Sequence, residues 1–361
     1  MGRCQDEVVL ALRNRGVQAA LLAAVLFGAG TPIAKLLLGD VNPWLLAGLL
    51  YSGSGLGLGL FRLIRDSSAV RLQRHELPPL VGAVVFGGIV GPVLLMLGLF
   101  NMPASGASLL LNAEGVFTAL LAWWVFKENF DRRIALGMLA IMTGAVVLSV
   151  APGANLGSPW PALAILGACL SWGLDNNLTR KLALHDATWL ACVKGTVAGP
   201  VNLLLAFTLG AQLPAPESAA AAVAVGFLAY GVSLVLFIIA MRHLGTARAG
   251  AYFSIAPFFG ALLAVALGDA VTWPLLLAGI LMAMGVWLHL SERHQHHHVH
   301  PAMTHDHRHT HEQHHQHEHT EPLSAGTWHK HQHAHQQIAH SHDHYPDMDH
   351  RHAHGQDDDG H

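Results

Sequence analysis

Charge is what this chain has least of. Asp, Glu, Lys and Arg make up 12% of its 361 residues, where soluble domains carry about a quarter. Beside a hydrophobic content of 52%, that shortage excludes a water-exposed exterior for most of the chain. Cysteine is also scarce. Cys4, Cys169 and Cys192 form no CxxC pair, so neither a disulfide framework nor a structural zinc site is expected. HExxH, GxSxG and phosphate-loop patterns are missing, which argues against an enzyme. No basic block points to nucleic acid. The N-terminal apolar stretch is too long for a signal-peptide core and ends in no small-x-small cleavage site. Asp6 stands where a myristoylation signal needs Ser or Thr.

What the chain does have is a series of apolar runs of membrane-spanning length, about 20 residues each. Ten are expected: Val17–Leu38, Pro43–Ile64, Leu77–Phe100, Pro103–Phe126, Ile134–Val150, Trp160–Thr179, Ala187–Ala211, Ala219–Met241, Ala247–Leu267 and Val271–Leu290. They predict an all-α integral membrane protein with ten transmembrane helices embedded in the lipid bilayer. Lys and Arg set its orientation. Arg3, Arg13 and Arg15 precede the first run, and Arg62, Arg65, Arg71 and Arg74 follow the second. Lys127, Arg132 and Arg133 follow the fourth, Arg180 and Lys181 the sixth, and Arg242 and Arg248 flank the turn after the eighth. The intervening connections carry neither residue. Every second loop is positive, which predicts both termini in the cytoplasm.

The two halves read as copies. Phe27-Gly28-Ala29-Gly30-Thr31-Pro32-Ile33-Ala34-Lys35 aligns with Trp172-Gly173-Leu174-Asp175-Asn176-Asn177-Leu178-Thr179-Arg180, and Ala104–Ala122 with Ala247–Val265. Five crossings per copy is an odd number, so the second copy enters the membrane inverted, an arrangement typical of transporters with a midplane site between repeats. The expected organisation is a cytoplasmic N-terminus at 1–16, a first repeat at 17–150, a second at 151–290 and a tail at 291–361.

These features resemble the drug/metabolite transporter superfamily, specifically its EamA-type permeases. The resemblance rests on the five-plus-five pattern, on Gly30-Thr31-Pro32-Ile33-Ala34-Lys35, on the Ala-rich start of the fourth run, and on Ala247-Arg248-Ala249-Gly250-Ala251-Tyr252-Phe253-Ser254-Ile255-Ala256-Pro257 followed by Leu267-Gly268-Asp269. It covers roughly 17–290 and implies the fold more than the cargo. Two departures touch the polar lining: Glu114 replaces a proline common in relatives, and Leu50-Tyr51-Ser52-Gly53 lacks an arginine many of them carry. With a histidine tail, the chain also resembles nickel and cobalt resistance permeases of metal-tolerant bacteria.

Ionisable groups at membrane depth cost about 2.5–3.5 kcal/mol even on a lenient scale, so each is a candidate. Glu114, beside Asn112, is either a bundle-facing acid satisfied by its neighbours or a carboxylate that binds a cation and a proton in exchange. Asp175, Asn176 and Asn177 either line the path with oxygen ligands or, through Asp175, pair with Lys194 at a similar depth in the seventh run. Lys35, near the outer end of the first run, can reach the interface. Asp269 reads as a loop acid. Cys169 and Cys192 read as apolar fillers, and the glycines at 53, 55, 57, 59, 195 and 199 as helix-packing positions.

The tail holds 24 of the chain's 28 histidines and far more acid than base. They fall at His296, His297, His298 and His300; at His305, His307, His309 and His311; at His314, His315, His317 and His319; at His329, His331, His333 and His335; at His342 and His344; and at His350, His352 and His354, with His294, His340 and His361 besides. Imidazole suits Ni²⁺, Co²⁺, Zn²⁺ and Cu²⁺ and is mostly neutral at cytoplasmic pH. The composition predicts a disordered, multi-site metal-binding segment, the bland alternative being a solvated or pH-responsive spacer.

Together these readings predict an inner-membrane exporter of a divalent transition metal, Ni²⁺ or Co²⁺ first, with Zn²⁺ as a further tail ligand, no tightly bound cofactor and protons as counter-ion. A homodimer is compatible with the sequence. One rival is an exporter of amino acids or other small metabolites whose tail senses or buffers metal. Another is a membrane metal sensor or store that transports nothing.

Overall fold

The computed structural model describes residues 15–65, 70, 72–126, 132–150, 159–182, 185–244, 249 and 252–290, and within the tail 294–300, 303–309, 329–335 and 338–344. These belong to two separate units, Met1–Glu292 and Arg293–His361.

The described part of the first unit is helical. Its elements are α1 (Arg15–Leu37), α2 (Pro43–Ile64), α3 (Leu77–Ala83), α4 (Gly91–Phe100), α5 (Ala104–Leu110), α6 (Ala113–Phe126), α7 (Arg132–Val150), α8 (Trp160–Arg180), α9 (Ala187–Thr208), α10 (Pro216–Val225), α11 (Ser233–Leu244), α12 (Ala256–Ala266) and α13 (Trp273–Leu290). Helix lies within every one of the ten expected spans, and among the described residues six helical stretches are long and apolar enough to cross a membrane. Local chemistry sets several ends. The Asn42 side chain accepts from Trp44 N at the start of α2, and Asp186 from Trp189 N at the start of α9, each satisfying a donor the first turn leaves free. Gly210 and Gly268 follow α9 and α12 at φ 83° and 117°, a left-handed conformation that costs glycine least.

Two features interrupt the expected spans. In the third and eighth, π-helical turns at Val84–Val90 and Gly226–Val232 join α3 to α4 and α10 to α11. In the fourth and ninth, turns at 111–112 and 254–255 separate α5 from α6 and precede α12. Under the alignment of Ala104–Ala122 with Ala247–Val265 these two breaks fall at the same place. Pro257 accounts for the second, because its ring cannot continue a helix from the preceding turn. At the first, Asn112 turns its amide back onto Leu109 O at 3.0 Å, competing with the backbone for the next helical bond.

Contacts come in pairs that exchange the copies. α1 packs on α11 and α12, while α8 packs on α4 and α6; the π turn of one copy meets α2, and that of the other meets α9. Gly28 abuts the Ala256 carbonyl, and its counterpart Gly173 abuts the Phe117–Thr118 backbone. α2 and α9 cross where Gly55 meets Gly195. A Cβ on Gly195 would run into the Gly55 backbone, so these glycines hold the helices close, as expected of small residues in membrane bundles. Leu63, Ile64, Leu204, Leu262 and Ile280 point outward and are exposed, a surface that lipid rather than water can cover. Trp160 and Trp273 at the starts of α8 and α13, and Trp123, Trp124 and Trp287 near the far ends of α6 and α13, are also exposed, matching two interfacial aromatic belts.

The described part of the tail is extended. Four segments, β1 (His294–His300), β2 (Met303–His309), β3 (His329–His335) and β4 (Ile338–His344), pair as two antiparallel ladders, β1 with β4 and β2 with β3. The His-X-His alternation has the period of an extended strand, and the register sets His305, His307 and His309 opposite His333, His331 and His329. His311, His314, His315, His317, His319, His350, His352 and His354 lie outside the described residues.

Candidate functional site

Glu114 stands in the first turn of α6, immediately past the break in the fourth span. The break is what makes a carboxylate tolerable there. A helix N-terminus presents free N–H groups and partial positive charge, so an acid inside the bundle gains from starting a helix at that depth. Glu114 is half-buried. Its Oε1 accepts from Asn176 Nδ2 at 2.9 Å, and the same amide donates to Thr118 Oγ1 at 3.2 Å. Asn176 is exposed, so this polar edge opens away from the packed helices. Among the described residues, no Lys, Arg or His forms an ion pair with Glu114.

The neighbouring residue on α8 has a different environment. Asp175 is 7% exposed and Lys194, on α9, 9%. The Lys194 ammonium donates to Asp175 Oδ1 at 2.5 Å, to Oδ2 at 2.7 Å and to Thr179 Oγ1 at 3.1 Å. The Thr179 hydroxyl in turn donates to Asp175 Oδ1 at 2.8 Å. Both acids thus carry a threonine four residues on, Glu114 with Thr118 and Asp175 with Thr179, one helical turn away on the same face.

The π turn at 84–90 braces this cluster. Tyr51 Oη and Trp172 Nε1 both donate to Gly87 O, at 2.5 and 3.0 Å, and Asn202 Nδ2 donates to Gly88 O at 2.9 Å. The Asp175 carboxylate lies against the Cα of Gly87, so closely that any side chain there would collide with it. An aromatic wall adjoins. The Phe27 ring centroid lies 6.5 Å from Trp172, 6.0 Å from Tyr230 and 5.4 Å from Phe253, and Tyr51 lies 5.5 Å from Tyr230. Phe27 and Trp172 are counterparts in the two copies, so their contact lies where the repeats meet.

The expected site residues therefore separate. Glu114 and Asn176 come together, as do Asp175 and Lys194. Asn112 does not join Glu114; its amide is used at the break, on Leu109 O and near Met282 Sδ at 3.9 Å. Asn177 braces α8, donating to Gly173 O at 2.8 Å and Thr118 O at 3.2 Å. Lys35 does not reach solvent alone; it caps α4 through Leu99 O and Phe100 O at 2.8 and 2.9 Å. Asp269 is more than a loop acid, because it accepts from Ser105 N at 2.8 Å and so caps α5, whose N-cap Pro103 has no side-chain acceptor. Thr118, Thr179, Tyr51, Trp172 and Gly87 were not singled out for chemistry from sequence. The four-residue spacing of acid and threonine in both copies was the signal available for the first two. Among the described residues, no group of three His, Cys, Asp or Glu side chains is placed to hold a metal ion.

Comparison with known proteins bears on what such a site serves. The profile of the EamA-like transporter family matches residues 14–150 and, a second time, residues 159–291. A transporter of Methanothermobacter thermautotrophicus, itself uncharacterised, is 27% identical over 79% of this chain and 89% of its own length. A probable amino-acid metabolite efflux pump of Salmonella typhimurium is 30% identical over 46% of this chain and 54% of its own. One solved crystal structure superposes with a TM-score of 0.59 at 20% identity, covering 76% of this chain and 96% of that one, which speaks for the fold alone.

Proposed function

The chain belongs to the EamA-like transporter family, and we propose that this multi-pass membrane transporter exports a divalent transition metal, Ni²⁺ or Co²⁺, from the cytoplasm across the bacterial inner membrane. The observation that carries the reading is Glu114. Asp175 has its charge met by Lys194, whereas Glu114, among the described residues, forms no ion pair and has only an amide donor at a depth where a charge costs about 2.5–3.5 kcal/mol. Such a site is completed by a cation. Thr118 and the Asn176 amide, whose oxygen and nitrogen exchange places by a simple flip, supply neutral oxygens beside it, a weak donor set suited to passage rather than storage. Selectivity for transition metals over Mg²⁺ comes from the other end of the chain, where the tail's imidazoles gather ions that oxygen ligands alone do not discriminate.

Direction follows from the positive loops, which put the tail on the cytoplasmic side. Proton entry that neutralises Glu114 would release the cargo outside and reset the carrier. Cells expressing the full chain should accumulate less nickel or cobalt than controls, and Glu114→Gln should abolish the difference. Unchanged export by Glu114→Gln would sink the reading.

A second reading has its own support. The aromatic wall of Phe27, Trp172, Tyr230 and Phe253 beside an acid and a lysine fits an amino acid or similar small zwitterion, and one relative is named as an amino-acid metabolite efflux pump. On that reading deletion after Arg293 leaves transport intact, and radiolabelled amino acid, not metal, leaves loaded vesicles.

A further inference from the structure

We infer that Asp175 is the second carboxylate of the cargo site and that Lys194 occupies it as an internal stand-in when no cargo is bound. The inference rests on the cation-export reading. Three oxygens, Asp175 Oδ1 and Oδ2 and Thr179 Oγ1, surround the Lys194 ammonium at 2.5, 2.7 and 3.1 Å. That is an oxygen nest holding a positive ion, and here the ion is tethered. The nest is the more constrained of the two partners. Asp175 is pinned against Gly87 and bonded to Thr179, whereas the ammonium rides on a flexible four-carbon stem.

Asp175 and Asn176 are consecutive on α8, about 100° apart around its axis, so the nest and the Glu114 edge, which Asn176 bonds, are adjoining faces of one helix. Charge balance then distinguishes two states. With Lys194 in place, Glu114, Asp175 and Lys194 sum to one negative charge. With the Lys194 ammonium displaced, the two carboxylates face one dication, and the same three side chains with the ion sum to one positive charge. A buried ion pair is in any case weak evidence for a purely stabilising role, because apolar side chains of similar volume often hold a core as well.

Exchange and net transport separate the possibilities. Full-length protein in proteoliposomes is assayed two ways: net Ni²⁺ efflux, and exchange of internal against external Ni²⁺, in which the carrier never returns empty. Lys194→Met should continue to exchange while its net efflux falls about tenfold or more, because the empty carrier has lost its stand-in. Asp175→Asn combined with Lys194→Met leaves neither member of that buried pair charged without its partner, and it should lose exchange. Net efflux by Lys194→Met at the wild-type rate overturns the inference, as does loss of its exchange in a protein that melts like wild type, or exchange retained by the double variant. Wild-type vesicles that move no metal refute the export reading itself and the inference with it.

Discussion

Replacing Gly87 with alanine places a methyl group in the Asp175 carboxylate. The carboxylate has nowhere free to go, since Lys194 and Thr179 hold it from one side while Tyr51 and Trp172 fix the Gly87 carbonyl from the other. If the backbone yields, the cost is that of overpacking a tight core, about 1–3 kcal/mol. If the carboxylate instead rotates off Lys194, a buried ammonium loses its partner and the cost rises to about 3–5 kcal/mol. Gly115→Ala is the matched control. It is one residue from Glu114, a Cβ there meets nothing within 4 Å, and removing a helical glycine should stabilise by about 0.5–1 kcal/mol. Thermal unfolding of the two purified variants, followed by tryptophan fluorescence, should displace their midpoints in opposite directions, with Ni²⁺ flux lost only in Gly87→Ala. A Gly87→Ala protein that melts with wild type and transports at its rate would refute the account of the π turn as the brace of Asp175.

Three further outcomes are expected. Tyr51→Phe removes one of the two donors to Gly87 O and should cost about 0.5–1.5 kcal/mol, read from the same melts, with Trp172 keeping the turn in place. Lys35→Met leaves Leu99 O and Phe100 O without their ammonium; because Lys35 is partly exposed the loss should be about 1 kcal/mol, seen as faster amide exchange at the end of α4. Truncation after Arg293 removes all 24 tail histidines and should abolish most equilibrium binding of Ni²⁺, measured by dialysis, without shifting the melting of the helical unit.

The positions of the helices were legible because membrane insertion rewards long apolar runs and little else; α2 begins and ends where its apolar run does. Glu114 was legible for the complementary reason, since one acid in such a run has no cheap explanation. Its partner was not. Asn112 is nearest in sequence, but Asn176 arrives from another helix, and no local period encodes a crossing between repeats. The π turns were equally hidden: Val84–Val90 reads as an unbroken apolar helix, and only the adjacent Gly87 and Gly88 suggest that side chains from α2, α8 and α9 approach its backbone. The ninth span carries Pro257 as a visible breaker, while the fourth breaks at the matching point with no proline at all. In the tail, low hydrophobicity argued for disorder, while the strict His-X alternation over short stretches also fits the strand ladders.

A π turn is an α-helix carrying one residue too many. Removing a single residue from Val84–Val90 would let the third helix close up as continuous α, and what lies beyond the deletion would keep nearly its present phase, because the wider turn is what takes up the surplus residue. Val93, Leu95, Met96 and Leu99 would stay packed in the core, while the Gly87 carbonyl that Tyr51 and Trp172 share would accept from the backbone four residues on. The eighth helix bears the same surplus at Gly226–Val232. A one-residue deletion is therefore absorbed within either turn, whereas the same deletion in the regular helix on either side would rotate all that follows by about 100° against its neighbours.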